Sequence, residues 1–74
     1  MFKKVCIIGC GLIGSSIARA IKKENLSNKI VSSNRSDLVN KKVIELNIVD
    51  DSNSDTKKMV KDSDLTIIAT PLSS

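Results

Sequence analysis

Three glycines, Gly9, Gly11 and Gly14, lie between an uninterrupted apolar run, Val5-Cys6-Ile7-Ile8, and a stripe of isoleucines at Ile13, Ile17 and Ile21. The run predicts a strand over Lys3 to Ile8 that is buried on both faces, because neighbouring strand side chains point to opposite sides. The isoleucine spacing predicts a helix that starts almost at once and ends near Lys23. Gly14 and Ala18 fall on an adjoining stripe, and Arg19, Lys22 and Lys23 face solvent. A strand that passes directly into a helix needs a tight turn, and Gly9-Cys10-Gly11-Leu12-Ile13-Gly14 fits G-x-G-x-x-G in that setting. Gly9 permits the turn, Gly11 allows a ligand close to the backbone, and Gly14 lets the helix lie close to the sheet. Amides at the start of such a helix, near Leu12 and Ile13, lack intrahelical acceptors and, with the helix dipole, face an anion. The turn is expected to seat the pyrophosphate of an NAD(P) cofactor.

The rest of the chain repeats the alternation. Asn25 to Asn28 form a turn, and Lys29 to Ser33 form a second strand centred on Ile30 and Val31. Ser36 is an N-cap with Asp37 in the favourable first turn. Val39, Val43 and Leu46, with Ile44 beside them, give the second helix its apolar stripe, and Asn47 suits a left-handed end. Ile48-Val49-Asp50 reads as a third strand, Asp51 to Ser54 as a polar loop, and Ser54 as the cap of a short helix over Asp55 to Lys61 that faces inward through Met59 and Val60. Leu65 to Thr70 is a fourth strand stopped by Pro71. Strands alternating with helices imply a parallel sheet with right-handed crossovers, order 3-2-1-4, the first part of a doubly wound Rossmann α/β fold. Residues 1–74 read as one incomplete NAD(P)-binding domain. Met1 directly precedes the first strand and the chain stops after the fourth, so an N-terminal fragment without a substrate or dimerisation domain is expected.

Composition narrows the remaining classes. With one Phe and no Tyr or Trp, the core must be aliphatic, as suits a covered parallel sheet. The formal charge of +4 comes from scattered Lys pairs with no aromatic residues to stack on bases, which reads as a solvated surface and not as a nucleic-acid site. Cys6 and Cys10 have no His to complete a metal site and do not form a C-x-x-C pair, so they read as reduced thiols of a cytoplasmic protein. Lys3-Lys4 before Val5–Ile8 imitates a signal peptide, but the apolar run is shorter than the roughly 7–15 residues such a segment needs. No stretch reaches transmembrane length.

The end of the second strand bears on which cofactor is held. Dinucleotide folds selective for NAD place Asp or Glu there to accept from the ribose hydroxyls. This chain has Asn34-Arg35-Ser36 instead. Asn removes the carboxylate that would repel a 2′-phosphate, and Arg offers a planar fork of donors that matches one. NADP is therefore the expected cofactor, with NAD possible. Thr70 and Pro71, at the carboxyl end of the fourth strand, fall where ligands of such sheets bind.

Taken together, these residues resemble the N-terminal part of prephenate/arogenate (cyclohexadienyl) dehydrogenases. The resemblance rests on Ile7-Ile8-Gly9-x-Gly11-Leu12-Ile13-Gly14-x-Ser16, Ile48-Val49-Asp50, and Asp64-Leu65 leading to Ala69-Thr70-Pro71, and runs over essentially the whole chain. It implies oxidative decarboxylation of prephenate or arogenate with hydride transfer to NAD(P), in tyrosine biosynthesis, by a homodimer. It also implies cofactor contacts at Gly9, Gly11, Leu12, Ile13, Gly14, Asn34, Arg35, Ser36, Thr70 and Pro71. Many family members have Asp where Asn34 stands, and Asn47 replaces a usual Gly. The family's catalytic His and substrate-binding Arg residues lie further along; this chain has no His and is expected to be inactive alone. Two other classes share parts of the pattern. NADP reductases of the β-hydroxyacid or pyrroline-carboxylate type also pair a glycine turn with Asn-Arg, but usually differ at Leu12-Ile13-Gly14. Nucleotide-sensing domains of potassium transporters generally keep an acidic residue where Asn34 stands.

Overall fold

Strands and helices alternate along the chain in the computed structural model, which describes residues 2–9 and 11–69. The elements are β1 (Val5–Ile8), α1 (Leu12–Lys23), β2 (Ile30–Ser33), α2 (Asp37–Glu45), β3 (Asp51–Asn53), α3 (Thr56–Val60) and β4 (Leu65–Ile68). The strands form one parallel sheet in the order β3-β2-β1-β4, as the alternation predicts. Val5 pairs with Ile30 and Leu65, and Ile8 pairs with Ser33 and Ile68, so β2, β1 and β4 end level with one another. That alignment brings Gly9, Asn34 and Ala69 to one edge of the sheet.

The sheet separates two apolar layers. On one side Val5, Ile7 and Ile30 meet Ala18 and Ile21 of α1 and Val43 of α2, with Ile48 and Val49 alongside. On the other, Cys6 and Val31 meet Met59 of α3, with Ile8 and Val60 against them. The alternation of Val5 and Ile7 with Cys6 and Ile8 accounts for the apolar run of β1.

The helices roll differently from their sequence stripes. In α1 the small residues Gly14 and Ala18, together with Ile21, are buried, and Ile17 is only half-buried. In α2 the buried pair is Asn40 and Val43, whereas Val39 and Leu46 are exposed. Asn40 turns α2 this way because its carboxamide is hydrogen-bonded at the sheet edge. Val39 and Leu46 then line a groove of about 360 Å³ against Ser15, Ser16 and Arg19 of α1.

The third strand falls later than expected. Ile48 and Val49 are buried but not in the ladder, because their amides donate to the Val43 carbonyl at the end of α2 (3.0 and 3.4 Å). Pairing starts only where the Asp50 amide reaches the Ile30 carbonyl (2.7 Å) and the Asp50 carboxylate accepts from the Ile30 amide (2.8 Å). The polar Asp51–Asn53 segment is therefore the strand and not the loop. Its central Ser52 is buried against Ser32, which satisfies a hydroxyl that sequence alone assigns to solvent. Asp55, and not Ser54, caps α3 by accepting from the Lys58 amide (3.2 Å). β4 ends at Ile68, short of the expected Thr70, and of its residues Thr66 and Ile68 are exposed. Asn47, as expected, is left-handed (φ 57°), and Asn25 and Asp62 are too (φ 53° and 63°). Among the described residues no helix is long and apolar enough to cross a membrane.

Candidate cofactor-binding site

The turn between β1 and α1 is held from both sides. Gly9 has φ 81°, which a side chain would strain, and its amide donates to the Ser33 carbonyl at the end of β2 (2.8 Å). The Gly9 carbonyl in turn accepts from the Gly11 amide (2.8 Å). The first backbone bond of α1 runs from the Ser15 amide to the Gly11 carbonyl (2.8 Å). The amides of Leu12, Ile13 and Gly14 are thus the ones a helix leaves without intrahelical acceptors. Gly11 brings no side chain to cap them, and the first turn of α1 carries no acidic residue to oppose an anion.

Gly11 and Gly14 differ in what surrounds them. A Cβ on Gly14 would lie 2.7 Å from the Gly9 carbonyl oxygen and 3.3 Å from Ile7 Cγ2, so the protein itself fills the space that this glycine leaves. A Cβ on Gly11 would meet no described atom within 4 Å. It would project into open space beside the first amides of the helix, where a diphosphate has room. The residues present therefore fit a dinucleotide phosphate: one glycine closes the packing and the other leaves the cradle open.

The second half of the site is the corner after β2. Ser36 caps α2 as expected, its hydroxyl oxygen accepting from the Val39 amide (3.4 Å). Arg35 is exposed. Asn34 is half-buried, and its carboxamide nitrogen donates to Asn40 Oδ1 (3.0 Å). Asn40 Nδ2 donates back to the Asn34 carbonyl (3.0 Å), and the Ser52 hydroxyl donates to Asn40 Oδ1 (2.5 Å). Behind them the Ser32 and Ser52 hydroxyls share a hydrogen bond of 2.7 Å. Ser33 is bonded to Thr56 at the start of α3 (2.9 Å).

The fold brings Gly9 and Gly11 together with the Asn34–Ser36 corner through the bond from Gly9 to Ser33. Thr70 and Pro71 lie outside the described residues, as does Cys10. Cys6 is a buried free thiol; burial pushes its pKa up, and Lys4 opposes this more weakly. Asn40 and Ser52 are the functional candidates that the sequence reading missed. The available signal was a polar residue, Asn40, three positions before the inward-facing Val43 on a helix.

Residues 4–74 match the family described as NADP oxidoreductase, coenzyme F420-dependent. The chain belongs to that family. Relatives similar to this chain include a prephenate dehydrogenase of Lactococcus lactis subsp. cremoris, 39% identical over 96% of this chain and 20% of the relative. A cyclohexadienyl dehydrogenase of Zymomonas mobilis is 35% identical over 97% of this chain and 25% of its own length. A prephenate dehydrogenase of Bacillus subtilis is 37% identical over 92% and 18%. The chain thus spans about a fifth to a quarter of the length of the curated relatives it matches. In fold it superposes with a TM-score of 0.88 on a solved prephenate dehydrogenase of A. aeolicus, in complex with hydroxyphenyl propionate and NAD+. The two are 22% identical, and the match covers 96% of this chain and 25% of that one. The four-stranded unit is an NAD(P)-binding Rossmann fold.

Proposed function

We propose that this chain is the cofactor-binding part of a prephenate/arogenate (cyclohexadienyl) dehydrogenase that prefers NADP. The observation that carries the reading is the glycine turn, open at Gly11 over the start of α1, in a chain 35–39% identical to three dehydrogenases of that name over nearly all its length. In this reading Gly9, Gly11 and the amides of Leu12, Ile13 and Gly14 hold the pyrophosphate, with no carboxylate nearby in α1 to repel it. Arg35 reads the 2′-phosphate with Ser36 beside it, and Thr70 and Pro71 are the further cofactor contacts that the family resemblance implies. When bound, the dinucleotide supplies the acceptor for the substrate's hydride. The proton-transfer and substrate-binding groups belong to parts of the enzyme outside these 74 residues, which contain no His. The enzyme is a cytoplasmic homodimer acting on a small molecule and binding no nucleic acid.

The test is turnover by the full-length protein with prephenate and with arogenate, each offered NAD+ and NADP+. The expected result is turnover of at least one substrate with a higher kcat/KM for NADP+. No turnover in any combination overturns the reading. NADP-linked turnover of coenzyme F420 alone would replace it with the reaction that the family's description names.

A further inference from the structure

Asn40 joins three elements that the cofactor would approach. It sits in α2 at 5% exposure, with its carboxamide facing the carboxyl end of the sheet edge. Each half of the carboxamide holds a different part of Asn34. Nδ2 takes the backbone carbonyl, and Oδ1 takes the side-chain amide, both at 3.0 Å. Oδ1 also accepts from Ser52 of β3, whose hydroxyl is bonded to Ser32 of β2. The backbone amide of Asn40 donates to the Ser36 carbonyl (3.1 Å). Asn34 is thus held by the Asn40 side chain and Ser36 by the backbone of the helix, and Arg35 stands exposed between them.

This arrangement has two chemical consequences for a ribose at the end of β2. The Asn34 side-chain nitrogen is engaged by Asn40 of α2 and lies 3.4 Å from the Ser52 hydroxyl of β3. The backbone that carries Arg35 is fixed on both sides, so fewer conformations are lost when its guanidinium closes on an anion. We infer that Asn40 is a positioning residue that sets the preference for the 2′-phosphorylated dinucleotide, by drawing Asn34 inward and holding the base of Arg35. The inference rests on the cofactor reading proposed above. Without the Asn40 carboxamide, the Asn34 carbonyl and side-chain amide lose the partner that holds them, and the backbone on the Asn34 side of Arg35 is released. NAD binding then holds while NADP binding weakens.

The test is calorimetric titration of the full-length protein with NADP+ and with NAD+, for wild type, Asn40→Ala and Ser52→Ala, with melting curves alongside. Asn40→Ala is expected to lower the ratio of NADP+ to NAD+ affinity about fivefold, the worth of one net hydrogen bond. Ser52→Ala removes one donor to Asn40 and is expected to lower the ratio about twofold. A merely structural residue would weaken both dinucleotides alike, so an unchanged ratio in Asn40→Ala overturns the inference while leaving the cofactor reading intact. A wild-type protein with no preference for NADP+ overturns both. If Asn40→Ala does not fold, Ser52→Ala decides: a fall of about twofold supports the inference and an unchanged ratio overturns it.

Discussion

Replacing Gly14 by Ala tests whether the third glycine serves packing, as the structure requires. The added methyl would sit 2.7 Å from the Gly9 carbonyl oxygen, about 0.7 Å short of the 3.4 Å at which ordinary contact begins. Relief must come from a backbone shift. The Gly9 carbonyl cannot swing aside easily, because it accepts from Gly11 and its own residue is bonded to Ser33. Moving α1 outward would loosen Ala18 and Ile21 from Val5 and Ile7. Forcing one methyl into a packed interior costs about 1–3 kcal/mol, and a backbone clash belongs at the upper end. Against this, Ala is favoured over Gly inside a helix by about 1 kcal/mol. The net is a loss of about 1–2 kcal/mol. For a unit of this size each kcal/mol lowers the melting temperature by about 4–8 °C. Urea denaturation and thermal melting followed by circular dichroism would read the change. A Gly14→Ala protein as stable as wild type, or more so, would refute the close-packing argument and leave helix propensity in charge of this position.

Three further outcomes follow from the same geometry. Asp50→Ala removes the acceptor of the Ile30 amide, which lies in a residue only 4% exposed; a loss of about 1–3 kcal/mol in urea denaturation is expected, with Asp50→Asn recovering most of it. Asn34→Asp, the obvious change toward NAD, sets a carboxylate against Asn40 Oδ1 in place of a donor; stability should fall by about 1–3 kcal/mol, and unchanged denaturation would count against the Asn34–Asn40 bond. The raised pKa of Cys6 makes stability fall in alkali. Below the ordinary thiol value of 9.0 both folded and unfolded chains keep the proton and stability is full. As pH rises past it the unfolded chain ionises first, and stability is lost up to the folded pKa. Cys6→Ala should flatten the stability curve between pH 9 and the folded pKa, and an identical slope in the two proteins would contradict this.

The order of the sheet and the glycine turn were legible because each depends on a local pattern. Continuous apolar runs mark strands covered on both sides, and the glycine spacing marks the strand–helix turn. Ile48 and Val49 misled because burial and strand pairing are separate properties: both are buried, but their amides serve the end of α2. Asp51–Asn53 looked like a loop because its pairing partner Ser32 is also polar, and a hydroxyl pair across two strands leaves no hydropathy signal. The roll of α2 was hidden for the same reason. Val39 and Asn40 differ by one position, and only the tertiary bonds to Asn34 and Ser52 decide which faces in. For the cofactor corner, the sequence supplied Asn34, Arg35 and Ser36 as types, but not that Asn34 is directed inward.

The central claim is that the start of α1 seats the diphosphate of a dinucleotide, and Gly11→Ala tests it most directly. A Cβ on the N-cap Gly11 would touch no described atom, so the packing around the turn should change little. The same methyl would occupy the space beside the helix amides. Calorimetric titration of the full-length protein should show NADP+ and NAD+ weakened alike, by about tenfold or more, since the diphosphate is common to both and its amide bonds are charge-assisted. Unchanged affinity for both dinucleotides in Gly11→Ala, at unchanged melting temperature, would contradict the account.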